Sequence, residues 1–469
     1  MAAVPMAGSP RSGSAADPIT RGWACRCEPP DAPCAVRDRG RHSPRGWRHP
    51  QAGGADQGFG FYRRLAAQAE AAKFDMLFVA DKLAVDDLYG NHFSTTVRYR
   101  ASRGTEPLTL LSALAVTTER IGLGGTISTS YTEPYHVARM FASIDHLSGG
   151  RAAWNAVTSV SDAEAHNFGR AEHYDHATRY DRAAEYLDVV RRLWDTWEED
   201  AIAPDKAASI YGDPAKVHYA DHAGKWFDVK GPLSLPRPPQ GHPVLIQAGA
   251  SGAFQDLATR NAEVVFAVYP DINRAKAGYR RFKDDVAAAG RSPDAVRILP
   301  GMVPIIADSD DAAADLLGEL DALVEPLAGL SFMSGSMNYD LADHALDEPV
   351  PDIRDLIRGS KGRFHYVIGK AIEEGWTFAD LGRWYGSSLS FAKMVGSPRT
   401  VADEMQRWLV EEACDGFVVM PAFMPAGVDR MLHDVVPLLQ SRGVFRRDYS
   451  ASTLRGHFGL DRPANSFHV

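Results

Sequence analysis

Polar side chains follow two apolar runs in the middle of the chain, where their types suit ligand binding. Ile121–Ile127 is a short run with β-branched residues, and Ala152–Val157 is a second one, so both are predicted to be buried strands. The polar residues at the ends of these runs are Thr126, Ser128, Asn155 and Thr158. Hydroxyl and amide groups donate and accept hydrogen bonds, so the set could hold a polar ligand.

The segment between the two runs has the pattern of a helix. Tyr131–Pro134 supplies a turn and a helix start, and Ser148–Gly150 supplies a stop. Apolar residues recur between them at helical spacing: Val137, Met140, Phe141, Ile144 and Leu147. A strand–helix–strand unit makes a parallel pair with a right-handed crossover. Both polar sets are therefore expected at the rim where α/β folds bind ligands.

The composition is that of a globular protein. Hydrophobic residues make up 45% and charged residues 24% of the 469 residues. The net charge of -9 argues against a nucleic-acid binder, and no apolar run approaches the roughly 18 residues of a membrane span. Four cysteines do not form a disulfide framework, so we expect a reducing cytoplasm.

The first 41 residues differ from the rest. They are rich in Ala, Pro, Gly, Ser and Arg and have no apolar periodicity or secretory apolar core. Residues 1–41 are therefore predicted to be a disordered or mis-assigned extension, and residues 42–469 the folded domain. Cys25, Cys27, Cys34, His42 and His49 lack paired CxxC spacing, so no metal site is predicted.

The folded part alternates strands and helices. Seven strands are predicted, beginning near Met76, Ile121, Ala152, Val244, Val264, Val296 and Gly416. Two long insertions, at 161–242 and 330–394, follow the third and sixth strands. A (β/α)8 barrel with one strand missing fits this pattern best, because barrel enzymes carry such insertions at the carboxyl ends of strands.

A doubly wound sheet is the alternative fold, but no glycine fingerprint supports it. Gly122, Gly124 and Gly125 lie within a predicted strand, and Ile127 takes the third GxGxxG position.

Several long motifs carry a resemblance that runs from about Trp47 to the C-terminus. They are FVAD at Phe78–Asp81, TISTSYTEPYHVARMFASIDHLSGGRAAWNAVTS at Thr126–Ser159, HATRYDRAAEY at His176–Tyr186, PVLIQAGASGAF at Pro243–Phe254 and GSPRTVADEMQRWLVEEACDGFVV at Gly396–Val419. The chain resembles the flavin-dependent monooxygenases of the bacterial luciferase-like superfamily. The similar branch contains nitrilotriacetate monooxygenase component A, dibenzothiophene-sulfone monooxygenase and the pristinamycin synthase large subunit.

The resemblance implies a (β/α)8 TIM barrel that binds FMN in its reduced form, FMNH2. A separate NAD(P)H:flavin reductase would deliver the reduced flavin, and O2 would then oxidise a small substrate at carbon, amine or sulfur. A homodimer or homotetramer is also implied. Two other readings stay open: a deazaflavin (F420)-dependent oxidoreductase, and a non-catalytic flavin-binding protein.

The resemblance also implies roles at the flavin for several residues. Asp81, directly after a buried strand, either contacts the flavin or caps the next loop. Thr126 and Ser128 share one strand face and, with Asn155, would bond the isoalloxazine edge; each hydroxyl could equally be a satisfied core group. Thr158 belongs to the same rim. Catalytic residues stay unassigned.

The phosphate is expected at two further places. His176 and Tyr180 lie four apart on one helix face, although Tyr180 also fits the apolar stripe of that helix and His176 could be a surface residue. Gly249–Gly252 lies between a strand and a helix, where small residues and helix N-terminal amides admit a phosphate near Ala250 and Ser251.

Two expectations concern incomplete or mobile regions. Family members begin with a hydrophobic strand, whereas Cys34–Arg45 is arginine-rich, so the first barrel strand is expected to be absent, replaced or misread. The glycine-rich and aromatic insertion 330–394 is expected to be a mobile lid that excludes water during chemistry.

Overall fold

Eight parallel strands close into a barrel in the computed structural model, which describes residues 34–37, 44–53, 58–101, 104–249 and 252–467. The strands are β1 Cys34–Arg37, β2 Met76–Val79, β3 Gly122–Ser128, β4 Ala152–Val157, β5 Val244–Ala248, β6 Val264–Ala267, β7 Arg297–Ile306 and β8 Phe417–Val419. Each pairs with its neighbours in chain order, and β8 pairs back to β1. The predicted (β/α)8 barrel is confirmed.

The first barrel strand is present, and the expectation that it is absent, replaced or misread was wrong. Ala35 is in register with Met76 of β2, and Cys34 with Phe417 of β8. The backbone N–H of Cys34 also donates to Oδ2 of Asp75 at 2.7 Å. A four-residue strand is too short to show periodicity, so its neighbours on both sides decide its conformation. The strand lies within residues 1–41, the predicted extension, so the folded domain begins before the predicted boundary at residue 42. Residues 1–33 and 38–43 lie outside the described residues.

An additional strand, Ala392–Gly396, was not predicted as such. It pairs in parallel with the second half of β7, from Met302 to Ile306, outside the closed ring. The predicted insertion limit at Met394 therefore falls inside a strand, and the limit at Leu330 falls inside a helix, Pro326–Met337.

Helices pack around the barrel wall and within the two insertions. In chain order they are α1 Phe59–Ala71, α2 Ser94–Tyr99, α3 Pro107–Ala115, α4 Pro134–Ser148, α5 Asp162–His166, α6 His176–Trp194, α7 Gly252–Asn261, α8 Ile272–Ala288, α9 Asp310–Ala322, α10 Pro326–Met337, α11 Lys361–Glu373, α12 Phe378–Ser388, α13 Pro398–Val410, α14 Ala426–Arg430, α15 Val436–Ser441 and α16 Leu454–His457. Short 3-10 turns are Gly46–Arg48, Tyr89–Asn91, Pro214–Lys216, Pro293–Ala295 and Arg354–Leu356, and Met431–Val435 is a π-helical turn.

Two small hairpins complete the first insertion. Ile202–Asp205 pairs with Ile210–Gly212, and His222–Ala223 pairs with Asp228–Val229. Within the described part of the chain, no helix is both long enough and apolar enough to cross a bilayer.

Alternate residues of each strand face the barrel interior, which fixes the direction of the rim side chains. Met76, Phe78, Ala153 and Ile246 belong to one buried interior cluster. A Cβ on Gly124 would approach the Met76 sulfur to 2.6 Å, so glycine lets β3 lie against the filled interior. Thr126 and Ser128 share this inward face of β3.

The opposite end of the barrel is closed by the C-terminal segment. A Cβ on Gly122 would lie 2.4 Å from the side chain of Leu454, which plugs that end. Arg446 pairs with Asp75 at 2.7 Å, and both side chains are almost fully buried. This end is packed and paired, so the open rim at the carboxyl ends of the strands remains for a ligand.

Candidate active site

A hydrogen-bonded pair inside the rim leaves one acceptor unused. Thr126 on β3 and Asn155 on β4 are register partners, and each is 4% exposed. Asn155 Nδ2 donates to Thr126 Oγ1 at 2.9 Å, and Thr126 Oγ1 donates to the Val79 carbonyl at 3.1 Å. Asn155 Oδ1 is buried and has no partner among the described residues. Such an acceptor normally finds a donor, so it is suited to an N–H group of a ligand.

Ser128 belongs to a network that is already well supplied with partners. Its Oγ lies 2.9 Å from Ser159 Oγ, and Ser159 in turn donates to Glu164 Oε1 at 2.9 Å. The backbone N–H of Ser130 also donates to Ser128 Oγ, at 3.2 Å. Ser159 has a left-handed backbone, with φ of 53°. The network shapes the end of β4 and leaves Ser128 less available to a ligand than Asn155 is.

Asp81 lies two residues after β2 and is partly exposed. Its position at the carboxyl end of β2 matches the prediction for a rim residue. Its role at a flavin stays a prediction.

His176 and Tyr180 lie together at the start of α6, as their spacing predicted. Their ring centroids are 4.9 Å apart. The Asp175 carboxylate caps this helix by accepting the backbone N–H groups of Ala177 and Thr178, both at 3.0 Å. Burial, and after it the charges of Arg179 and Lys361, lower the pKa of His176. The imidazole is therefore neutral near pH 7 and lies in a positive field.

A pocket joins the Tyr180 side chain to the end of β5. Thr158 lines it together with Gln247, Ala248 and Phe254. Thr158 follows the last residue of β4 and lines this pocket together with Val157, whereas Asn155 lies on the inward face of β4 with Ala153. The predicted residues therefore form two groups, one inside the rim and one at its edge between β4, β5, α6 and α7.

The turn between β5 and α7 is described only at its flanks. Ala250 and Ser251, the predicted phosphate contacts, lie outside the described residues. Gly249 and Gly252 flank them, and a Cβ on Gly249 would lie 2.6 Å from the ring of Phe254. That close approach requires glycine before the turn.

Two buried residues of the site were missed by the sequence reasoning. Arg179, 3% exposed, donates from Nη1 to the Ser159 carbonyl at 3.0 Å and from Nη2 to the Gly359 carbonyl at 3.2 Å. Gln247 is buried with Oε1 unpartnered among the described residues. Both lie inside quoted motifs, HATRYDRAAEY and PVLIQAGASGAF, but single-sequence patterns do not separate such residues from surface ones.

Comparison with known proteins decides the family. The sequence model of the family described as luciferase-like monooxygenase matches residues 43–413. The chain belongs to that family. The resemblance inferred from the motifs is confirmed, and this luciferase-like protein is an enzyme, a monooxygenase.

Relatives with defined reactions align over nearly the whole chain. Dibenzothiophene-sulfone monooxygenase of Rhodococcus erythropolis is 44% identical, covering 90% of this chain and 94% of that protein. N-acetyl-S-(2-succino)cysteine monooxygenase of Bacillus subtilis is 42% identical, covering 91% and 96%. Nitrilotriacetate monooxygenase component A of Aminobacter aminovorans is 41% identical, covering 90% and 94%.

Solved structures agree with the fold. A long-chain alkane monooxygenase superposes with a TM-score of 0.81 at 31% identity, covering 93% of this chain and 96% of that one. A riboflavin lyase, solved with modified FMN and riboflavin, superposes with a TM-score of 0.84 at 27% identity, covering 92% and 96%.

Proposed function

We propose that this monooxygenase is the oxygenase component of a two-component system and uses reduced FMN and O2 to oxidise a small organic substrate at carbon, amine or sulfur. The observation that carries the proposal is the unpartnered Oδ1 of Asn155 inside the rim, held by Thr126. The isoalloxazine ring presents an N–H group at its edge, so it suits a fixed, buried acceptor.

The edge of the rim suits the phosphate end of FMN. The amino end of α7 lies there with the hydroxyl of Tyr180, and Arg179 and Lys361 add positive charge near His176. The amino end of α6 is already capped by the Asp175 carboxylate. A phosphate dianion is stabilised by helix N-terminal amides and by positive charge. Together with the predicted contacts of Ala250 and Ser251, these groups would orient the cofactor from the edge of the rim towards Asn155.

Reduced FMN supplies the electrons that activate O2. The chain's own contribution is to bind and orient the cofactor and substrate and to exclude water. The rim is lined on the far side by Phe266 and Phe391, whose ring centroids are 5.6 Å apart. An apolar wall of this kind lowers water access at the place where oxygen transfer occurs.

A separate NAD(P)H:flavin reductase is proposed as the transient partner. The name of the nitrilotriacetate relative, component A, supports a divided system. A homodimer or homotetramer is also proposed, which light scattering of the purified protein would measure.

The decisive experiment compares cofactors and then follows the oxygen atom. Melting temperature is measured anaerobically with reduced FMN, oxidised FMN and the deazaflavin F420. Reduced FMN should give the largest stabilisation, since a selective ligand stabilises the fold by mass action. Selective stabilisation by F420 would favour the alternative oxidoreductase and overturn the FMN proposal.

The second step supplies chemically reduced FMN, then ¹⁸O2, with the three named substrates of the aligned relatives and related sulfides and amines. One labelled oxygen atom in the product is expected. Consumption of O2 without labelled product for every compound would count against the oxygenase. The hypothesis of a non-catalytic flavin-binding protein depended on a damaged first strand. Because β1 is present and closes the barrel, that ground no longer applies.

A further inference from the structure

One cation of the second insertion, Arg363, has no carboxylate partner in the part of the chain that the structure describes. Arg363, the third residue of α11, is partly exposed. Its Nε donates to Ser390 Oγ at 3.2 Å, and its Nη2 donates to the Leu389 carbonyl. Both acceptors are neutral. Among the described residues no carboxylate pairs with this guanidinium, and burial lowers its pKa. The phenol of Tyr385 beside it is uncharged, because burial raises the pKa of that hydroxyl.

An unpartnered hydroxyl lies beside this cation. Tyr385 on α12 is fully buried, and its hydroxyl has no hydrogen-bond partner among the described residues. The guanidinium carbon of Arg363 lies 5.2 Å from the centre of the Tyr385 ring. A buried hydroxyl without an acceptor and a cation without an anion are both costly, and one oxyanion would satisfy both.

Arg100, the other cation near Tyr385, is already paired. Lys82 and Arg100 both bind the buried carboxylate of Asp86, the latter at 2.8 Å. Burial alone would raise the pKa of Asp86, but these two cations outweigh it and lower the pKa. Asp86 is thereby neutralised locally and does not serve as a counter-ion for Arg363.

A strained turn holds the guanidinium in place. Leu389 and Ser390 follow α12 with φ of 55° and 59°, a left-handed conformation that residues other than glycine rarely adopt. These are the two residues whose carbonyl and hydroxyl accept from Arg363. Backbone strain of this kind persists where the surroundings impose it and concentrates at ligand sites.

Contacts place Arg363 above the barrel mouth, across from Asn155. Its guanidinium lies 5.2 Å from the ring of Phe391. A Cβ on Gly301 of β7 would lie 2.7 Å from Phe391, and Phe266 of β6 is its aromatic neighbour. In the ring of eight, β7 lies opposite β3, which carries Thr126, the hydrogen-bond partner of Asn155. The charged group therefore lies across the opening from the Thr126–Asn155 pair.

We propose that Arg363 and the hydroxyl of Tyr385 bind a carboxylate of the substrate, so that the enzyme oxidises a small organic acid whose apolar part lies against Phe78, Phe266 and Phe391. This assignment rests on the proposed function for the identity of the rim as the active site. The acid group is held at the second insertion, and the oxidisable atom is directed towards the rim of β3 and β4.

The test measures binding, not turnover, by titration calorimetry with oxidised FMN present and again without it. Probes are matched pairs of an acid and its methyl ester: N-acetyl-S-benzylcysteine, benzylsuccinic acid and N-acetyl-S-(2-succino)cysteine. The wild type should bind at least one acid about tenfold to hundredfold more tightly than its ester, the range of a charge-assisted hydrogen bond. Arg363→Met should abolish that preference, and Tyr385→Phe should reduce it.

Arg383→Met is the matched control, because Arg383 also lies on α12 but is exposed and paired with Asp380. It should keep the acid preference. All variants are checked for an unchanged melting temperature and FMN affinity, and Arg363→Lys should retain part of the preference.

Three results would overturn the proposal. They are an unchanged acid-to-ester ratio in Arg363→Met, no binding of any acid to the wild type, and a loss of FMN affinity in Arg363→Met with acid binding intact. The last would assign the cation to the flavin. Because binding needs no oxygen transfer, failure of the oxygenase experiment would not be mistaken for failure of this one.

Discussion

Asn155 and Thr126 stand opposite each other on neighbouring strands, and a hydrogen bond of 2.9 Å from Nδ2 to Oγ1 joins them. Since the Thr126 hydroxyl itself donates to the Val79 carbonyl, the amide is held with Oδ1 turned away from both. The hydrogen bond to Thr126 therefore fixes the orientation of the Asn155 amide, so that Oδ1 is a fixed hydrogen-bond acceptor.

Replacing Asn155 tests that acceptor. Asn155→Leu should weaken FMN binding by roughly tenfold to hundredfold, because a ligand N–H would be left unpaired in a buried site at a cost of about 1–3 kcal/mol. Flavin fluorescence titration measures the effect. Thr109→Val, on the exposed side of α3, should leave the affinity unchanged. Equal FMN affinity in Asn155→Leu and wild type would place the ring elsewhere.

The phosphate end is tested by comparing FMN with riboflavin. Tyr180→Phe and Ser251→Ala each remove one hydroxyl and should weaken FMN binding about tenfold, while riboflavin, which lacks the phosphate, should bind as before. Tyr211→Phe, on an exposed hairpin, serves as the control. A parallel loss for both ligands, or no loss for either, would show that these hydroxyls do not meet the phosphate.

Stability should depend on pH through His457. Burial, aided by neighbouring arginines, lowers its pKa to about 4, and its Nε2 lies 2.9 Å from the Arg120 carbonyl. Above about pH 6.5 neither the folded nor the unfolded state protonates this group. Between about pH 6.5 and 4 only the unfolded state binds the proton, so the free energy of unfolding should fall by roughly 3 kcal/mol as the pH is lowered.

Urea denaturation at pH 7.5 and 4.5 measures the difference. His457→Gln should reduce it by most of that amount, whereas His433→Gln, at an exposed position, should not. The same pH dependence in His457→Gln and wild type would assign the acid sensitivity to other groups.

The buried ion pair Arg446–Asp75 should stabilise the start of the barrel. Arg446→Met leaves Asp75 as an uncompensated buried charge, and the expected loss is about 3–5 kcal/mol. Asp75 also accepts the backbone N–H of Cys34, so amide exchange in Cys34–Arg37 should accelerate in the variant. The exposed Arg447→Met is the control. If amide exchange in β1 is unchanged in Arg446→Met, the Arg446–Asp75 ion pair does not stabilise the closure of the barrel by β1.

The predicted lid is tested by hydrogen exchange over residues 330–394. Packing within the insertion is uneven. A Cβ on Gly329 would lie 2.0 Å from the Gly382 carbonyl, so α10 and α12 are in close backbone contact. We expect these two helices to be protected throughout and residues 359–366 to gain protection when FMN and an acid bind. Full protection of 359–366 in the free protein would identify a rigid insertion.

The sequence by itself determined the elements with strong local signals. The helix Pro134–Ser148 begins at its proline and ends before Gly149, whose φ is 67°, because the covalent preferences of those residues are local. The seven predicted strands were recognisable because a strand of a parallel sheet is buried on both faces. Its sequence is therefore a nearly continuous apolar run. The spacing of His176 and Tyr180 predicted their contact for the same local reason.

Only the tertiary structure decided the features that depend on partners distant in the chain. Cys34–Arg37 becomes a strand because β2 and β8 lie on either side of it, and nothing local requires that conformation. Thr158 and Asn155 share one rim in sequence, yet Thr158 lines the pocket beside Tyr180 and Asn155 is bonded to Thr126 on β3. The juxtaposition of Arg363 and Tyr385 depends on how α11 packs on α12. That no described carboxylate pairs with Arg363 follows only from the packed structure. Hydrogen bonding and charge pairing between distant segments are properties of the packed chain, so no pattern within one segment encodes them.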